Sequence, residues 1–179
     1  MSSPIALLTD FGYQDHYAGV LKAVIHKIQP KAQIIDLSHG IRAQQVSDGA
    51  WCLYQAFRFF PKQTIFVAIV DPEVGTKRKI LCVKTKNFYF IAPDNGLLDP
   101  ILRIEKPQVL RTIDNPKYFL NPAISRTFHG RDVMAPAAAH LNRTPKIFKD
   151  LGPELRTWTR LSSPEVRWIE RGIEGIIIY

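Results

Sequence analysis

The sequence predicts an α/β fold, a three-layer sandwich with helices on both faces of a mostly parallel central sheet. Three observations carry that expectation. Apolar runs of strand length alternate with segments of helical periodicity, several runs are apolar without interruption, as strands covered on both faces are, and acidic residues close four of them.

The elements follow in order. PIALLT (4–9) reads as a buried strand, and behind it Tyr17, Val20, Leu21, Val24, Ile25 and Ile28 recur at helical spacing until Pro30. QIIDLS (33–38) is a second strand. Ala50, Leu53, Tyr54 and Phe57 mark a helix that Pro61 stops, and TIFVAIV (64–70) is a third strand. KILCVKT (79–85) and FYFIAP (88–93) flank the turn-like Lys86-Asn87 and form a hairpin. A short helix near GLLDPIL (96–102), a strand at QVLRTI (108–113) and an alanine-rich helix beginning near Asp132 complete the pattern.

Composition excludes several classes. With 46% apolar and 22% charged residues over 179 positions, the chain buries a real core. No run approaches the roughly 18 apolar residues of a membrane span, and PIALLT is interrupted by Asp10 too soon for a secretory signal, so a cytoplasmic protein with no membrane partner is expected. Cys52 and Cys82 lack CxxC spacing and read as buried reduced thiols. The net charge of +8 is spread along the chain, without a basic block or an aromatic nucleic-acid motif. It reads as a solvated basic surface, with no specific nucleic-acid partner.

The acids are more informative. Asp10, Asp36, Asp71 and Asp94 sit late in or just after apolar runs. In open parallel sheets the carboxyl ends of the strands share one edge, where ligands bind, so the four point to one polar cleft. Each also fits a turn or helix-capping role taken singly. TFHGRDVMAPAAAH (127–140) places His129, Arg131 and Asp132 at the start of a helix whose amino end is expected to face the same cleft. A local reading, with Asp132 as a cap and His129 and Arg131 on a loop, stays open beside it.

Five separated motifs then fall in order from Ile5 to about Leu141: LTDFGYQDHYAGVLKAVI, IIDLSHGI, VAIVDPEVGTKR, APDNGLL and TFHGRDVMAPAAAHL. Together they resemble the S-adenosylmethionine hydroxide adenosyltransferase family, hydrolytic relatives of the fluorinating and chlorinating enzymes. The resemblance implies metal-independent hydrolysis of S-adenosylmethionine to adenosine and L-methionine by water attack at ribose C5′, with no cofactor and a homotrimeric assembly. It assigns a water-activating triad to Asp71, Arg78 and His129. It further implies that Asp10 holds the ribose hydroxyls beside Phe11, and that Asp94 and Asn95 shape or line the same cleft. A plain turn role for Asn95-Gly96 remains open. The halogenating relatives lack counterparts of Asp71 and His129, which favours water as the nucleophile here.

These residue types suit the chemistry. A sulfonium is an activated leaving group, so the enzyme's task is to place and activate water rather than supply a Lewis acid. Arg78 keeps its proton and is expected to stabilise developing hydroxide, His129 can accept or relay a proton near neutrality, and Asp71 can orient water or the histidine and balance Arg78. Two departures are mild: Ala23 stands at a usual glycine and Ala43 at a common proline. The larger one lies at GIEGIIIY (172–179), where the family's second, β-rich domain would begin. The expected organisation is an α/β unit over 1–150 and, over 151–179, a linker with the first strand of an incomplete domain. Residues 175–179 are expected to be disordered, to pair elsewhere or to serve oligomerisation, and turnover to be impaired if the chain is whole. Two other readings stay in view: a noncatalytic nucleoside-binding or oligomer-forming remnant, and a metal-dependent hydrolase built on the acids with His39 and His129. The second lacks any close-spaced ligand pair.

Overall fold

The computed structural model describes residues 3–162 and 167–174. Strand β1 (Ile5–Thr9) leads to helix α1 (Tyr17–Ile28), β2 (Ile34–Ser38), α2 (Val46–Ala56), β3 (Ile65–Ile69), β4 (Ile80–Lys84) and β5 (Tyr89–Pro93). Then come α3 (Asp99–Glu105), β6 (Val109–Thr112), α4 (Ala135–Arg143) and β7 (Glu154–Leu155). The segment expected as a featureless connection contains a further antiparallel hairpin, β8 (Arg167–Ile169) with β9 (Gly172–Glu174). The apolar stretch 175–179, expected as a solitary strand, lies outside the described residues.

The first seven strands form one sheet in the order β2-β1-β3-β5-β4-β6-β7. It is a mixed sheet, which corrects the expectation of a mostly parallel one. β1 pairs in parallel with β2 and β3, and β3 with β5, but β4 runs antiparallel to β5 and β6, and β7 antiparallel to β6. Connection length is the cause. A parallel return needs a crossover of roughly a dozen residues or more, and only residues 85–88 join β4 to β5, so the chain folds back as the hairpin that Lys86-Asn87 signals. This reversal matters for the site: Ile80 stands opposite Pro93, so β4 begins at the edge where β1, β2, β3 and β5 end. Residues just before β4 therefore meet residues just after β3.

Side chains alternate between two cores, as the strand period requires. Ile5, Leu7, Val67, Ile69 and Ile91 pack on the face carrying α1 and α4, whose Leu21, Ile25, Ala138 and Leu141 are buried against them. Ala6, Leu8, Phe66, Ala68 and Phe90 pack on the opposite face with Leu53 of α2 and Ile101 of α3. Both faces are covered, which is why β1, β3 and β5 are buried at every position. α2 lies so close that a Cβ on its Gly49 would come within 2.8 Å of Val70 Cγ2. Its helix tightens into a 3-10 turn at Phe57–Phe59 before Pro61. Cys82 is buried in β4, where burial pushes its thiol pKa up, whereas Cys52 on α2 is only half-buried; both are free thiols. Among the described residues no helix is long and apolar enough to cross a membrane.

The chain beyond β7 is strapped back onto α3. The Asp99 side chain, 2% exposed, accepts hydrogen bonds from Trp158 Nε1 at 2.9 Å, Arg160 at 2.9 Å, the Leu161 N–H at 3.1 Å and Arg103 at 2.7 Å. Burial alone would raise the Asp99 pKa, but these donors prevail and pull it down from 3.8 to about 2. A depressed carboxylate contributes stability that is complete above its unfolded pKa and is lost as pH falls through the folded one. Wild-type protein is therefore expected to lose stability between pH 3.8 and about 2. Asp99→Asn is expected to flatten that limb and to cost about 1–3 kcal/mol at neutral pH, read from urea midpoints at constant m.

Candidate functional site

Asp71 lies just past the end of β3, and Arg78 precedes β4 at the same edge of the sheet. The loop between them turns at Gly75, whose φ of +84° suits glycine, and a Cβ there would lie 2.5 Å from the Arg126 carbonyl oxygen. That close approach brings the loop against the segment leading to His129. Arg78 clasps Asp71 with two hydrogen bonds, Nε to Oδ1 at 2.8 Å and a short one from its second nitrogen to Oδ2. The same second nitrogen lies 3.0 Å from His129 Nδ1. The three side chains assigned to the triad are thus in contact, from segments fifty-one residues apart in sequence.

Protonation follows from the partners. A guanidinium only donates, so His129 Nδ1 accepts, and the neutral ring carries its hydrogen on Nε2. Burial, with the Arg78 charge added, lowers the His129 pKa below its ordinary 6.5, against the pull of Asp71 and Asp132. The ring is neutral at physiological pH. Arg78 and Asp71 side chains are 4% and 5% exposed, and the remaining Arg78 nitrogen, NH1, is buried without a hydrogen-bond partner among the described residues. A buried, unpaired cationic donor is costly, so NH1 is the one Arg78 nitrogen with a hydrogen bond still to make.

His129 is held by an unusual helix start. Gly130–Met134 form a π turn that runs into α4, a wide turn of a kind found often at functional sites. A Cβ on Gly130 would reach within 3.0 Å of Ile69 Cδ1, so the glycine lets the turn sit tightly on β3 without displacing that side chain. Asp132 provides no side-chain cap; its carboxylate accepts the Ser125 N–H at 2.8 Å and Arg131 Nε at 2.7 Å, tying down the preceding loop.

Beside this cluster lies a cavity of about 300 Å³ whose lining includes Asp10, Phe11, Tyr17, Gln44, Asp71, Phe128 and Arg131. Tyr17 stacks on Phe128 with centroids 5.5 Å apart, and the Arg131 guanidinium sits 4.8 Å over the Phe128 ring. Aromatic rings and the Asp10 carboxylate thus share one lining, a mix of flat apolar surface and hydrogen-bond acceptor. A second cavity of about 440 Å³ is lined by Arg78, His129, Lys77, Lys79 and Asp114 among others, so the Asp71–Arg78 pair stands between the two.

The other expected site residues divide. Asp10 lines the first cavity, with Oδ2 accepting the Gln44 N–H at 2.8 Å, and Phe11 adjoins it. Asp94 accepts the Thr159 N–H at 2.8 Å, while Asn95 donates to the Val70 carbonyl at 2.8 Å and accepts from the Leu97 N–H at 3.3 Å; neither lines the cavity. Asp36 is a correction to the single-cleft pattern: it lies inside β2, bonded to Lys22 and His39, and does not line the cavity. Sequence reasoning missed Tyr17, Gln44 and Phe128. Tyr17 falls on the helical stripe and is indistinguishable from core by spacing, and Gln44, itself exposed, offers its N–H to Asp10 from a positive φ of 63° that nothing in its residue type signals. Among the described residues no three His, Cys, Asp or Glu side chains gather as a metal-holding cluster.

Residues 5–152 match the family model of the SAM hydroxide adenosyltransferase N-terminal domain. The chain belongs to that family. It is 33% identical to (R)-S-adenosyl-L-methionine hydrolase of Thermus thermophilus, over 98% of this chain and 69% of that protein. It is 38% identical to the enzyme of the same name from Methanocaldococcus jannaschii, over 76% of this chain and 52% of that one. A fluorinase from Actinoplanes matches at 26% identity over 53% of its length. The crystal structure of a conserved protein from Thermotoga maritima superposes with a TM-score of 0.87 at 40% identity, covering 90% of this chain and 62% of that one. The chain thus spans between about half and about two thirds of these SAM hydroxide adenosyltransferase relatives' lengths.

The geometry yields one direct expectation. Gly75→Ala places a methyl group against the Arg126 carbonyl in a left-handed backbone and is expected to cost about 1–3 kcal/mol. It is also expected to part Arg78 from His129, shifting the His129 imidazole resonances in an NMR titration toward a higher pKa as the neighbouring positive charge recedes.

Proposed function

We propose that this chain carries the catalytic half-site of a metal-independent S-adenosylmethionine hydrolase that forms adenosine and L-methionine. The contact of Asp71, Arg78 and His129 beside an aromatic cavity that also holds Asp10 is the observation that carries the reading; membership of the family supports it. Asp10 receives the two ribose hydroxyls, as a carboxylate accepts from a vicinal diol. Phe11, Tyr17 and Phe128 flank the nucleoside. The roles of Asp94 and Asn95 are indirect in this reading: they hold the 94–97 turn and the strap at 158–161 in place at the edge of the sheet.

The reaction follows from the charges. A water oxygen forms a bond to C5′ as the C5′–S bond breaks, and sulfur keeps the electron pair, turning from cationic sulfonium into the neutral thioether of methionine. The Arg78 NH1 group, otherwise unpaired, stabilises the negative charge that grows on the attacking oxygen. The departing proton goes to His129 Nδ1, which must first exchange its bond to Arg78 for one to the water. Asp71 holds the guanidinium in register and balances its charge. A proton acceptor with a lowered pKa is ready at neutral pH, because it does not have to lose a proton first. The resemblance extends the proposal to a homotrimer, which sedimentation analysis tests.

Incubation with S-adenosylmethionine, with and without chelator, followed by chromatography for adenosine, is the deciding assay. Chelator-insensitive adenosine release is expected. Adenosine binding without release would favour a noncatalytic role, and chelator-sensitive release a metal-dependent one. His129→Ala is expected to lower kcat by about 10²–10⁴-fold. The wild-type rate is expected to be flat above neutrality and to fall in acid with an apparent pKa below 6.5, as protonation removes the acceptor.

A further inference from the structure

His39 takes no part in the reaction proposed above, yet it is a fully buried imidazole with both nitrogens engaged. Nε2 lies 3.1 Å from Asp36 Oδ1, and Nδ1 lies 2.8 Å from Thr9 Oγ1. Asp36 is anchored in turn, with Oδ2 accepting from Lys22 Nζ at 2.6 Å. Burial alone would raise the Asp36 pKa, but the bonds from Lys22 and His39 keep it below the usual carboxylate range. An ionised Asp36 only accepts, so His39 carries a hydrogen on Nε2 and, when neutral, receives one from the Thr9 hydroxyl on Nδ1. The Thr9 oxygen is left with a lone pair for the Phe11 N–H, 3.2 Å away. Every donor in the series Phe11, Thr9, His39 meets one acceptor, in one direction.

That series ends on both sides of Asp10. The lacing is doubled by the backbone: the His39 carbonyl accepts the Gly12 N–H at 2.7 Å, and the Thr9 carbonyl accepts the Ile41 N–H at 3.4 Å. The two loops after β1 and β2 are thereby locked together, and Gln44 at the far end of the second loop holds the Asp10 carboxylate itself. Gly12 sits at a φ of +69°, so the first loop depends on these bonds to keep its shape.

We propose that His39 is a positioning residue: through Thr9 and its own carbonyl it aims the Asp10 carboxylate into the cavity, setting recognition of the ribose diol. It acts on nucleoside affinity and KM, and leaves the step at C5′ to the Arg78 cluster. The inference rests on the reading of Asp10 given above. It also explains why a polar ring is buried at the edge of the sheet: an apolar side chain would leave the Thr9 hydroxyl hydrogen without its acceptor and Asp36 Oδ1 without the His39 donor.

Calorimetric titration with adenosine and with 2′-deoxyadenosine tests this on wild type, Asp10→Asn, His39→Gln, Thr9→Val and Thr9→Ser. Wild type is expected to prefer adenosine. His39→Gln and Thr9→Val are expected to weaken adenosine binding by about tenfold while barely changing binding of the deoxynucleoside, so that the preference collapses as in Asp10→Asn. Thr9→Ser, which keeps the hydroxyl, is expected to retain it. If His39→Gln does not fold by circular dichroism, the two Thr9 variants carry the comparison. A preference that Asp10→Asn abolishes but His39→Gln and Thr9→Val leave intact overturns the inference alone, as does an equal loss for both nucleosides. Wild type that binds neither nucleoside, or whose preference survives Asp10→Asn, overturns the reading of the cavity and this inference with it.

Discussion

The bidentate ion pair between Asp71 and Arg78 is the constraint on which the rest of the site depends. Both side chains are almost wholly removed from water, and desolvating two such charges costs several kcal/mol per ion before their attraction returns any of it. A pair of well-packed apolar residues would serve stability as well or better. What the pair supplies instead is a fixed cation whose direction is set by a planar fork, with one nitrogen clasped, one shared with an imidazole and one left over. In the proposed reaction, that leftover donor is the one that meets the attacking water.

Backbone topology makes that pair possible. In a wholly parallel sheet the residue before a strand lies at the opposite edge from the residue after its neighbour, and Arg78 would be a strand length away from Asp71. The β4–β5 hairpin inverts one strand, so a residue entering β4 meets residues leaving β3 and β5. Gly75 then allows a backbone approach onto the Arg126 carbonyl that a larger residue would block, and Gly130 lets the π turn sit tightly on the Ile69 side chain. Sheet direction, two glycines and a π turn thus converge on one imidazole. The opposite wall of the cavity is organised differently, by lacing the loops after β1 and β2 around Asp10.

The parts legible in the sequence were those written in periodicity. Uninterrupted apolar runs at 5–9 and 65–69, the helical stripe from Tyr17 to Ile28 and the Lys86-Asn87 turn all describe local interactions, and all appear where expected. Direction of pairing was less legible, because it depends on which strands become neighbours; the mostly parallel sheet became a mixed one for that reason. The contact of Asp71, Arg78 and His129 followed from motif resemblance, since composition and spacing place no carboxylate beside a guanidinium seven residues on. Asp36 and Asp99 show the limit. Each is a carboxylate near the end of an apolar run, yet one is spent on Lys22 and His39 and the other on Trp158 and Arg160, partners as far as 61 residues away that no local pattern announces.

In the proposed reaction Arg78 is the group that lowers the barrier for water. Single-turnover hydrolysis of S-adenosylmethionine in water labelled with heavy oxygen, followed by mass analysis of the adenosine, measures that role in wild type and in Arg78→Met. The expected result is label on the 5′-oxygen in wild type, with the rate in the variant reduced by about 10²–10³-fold. Labelled adenosine formed by Arg78→Met at the wild-type rate would contradict the account.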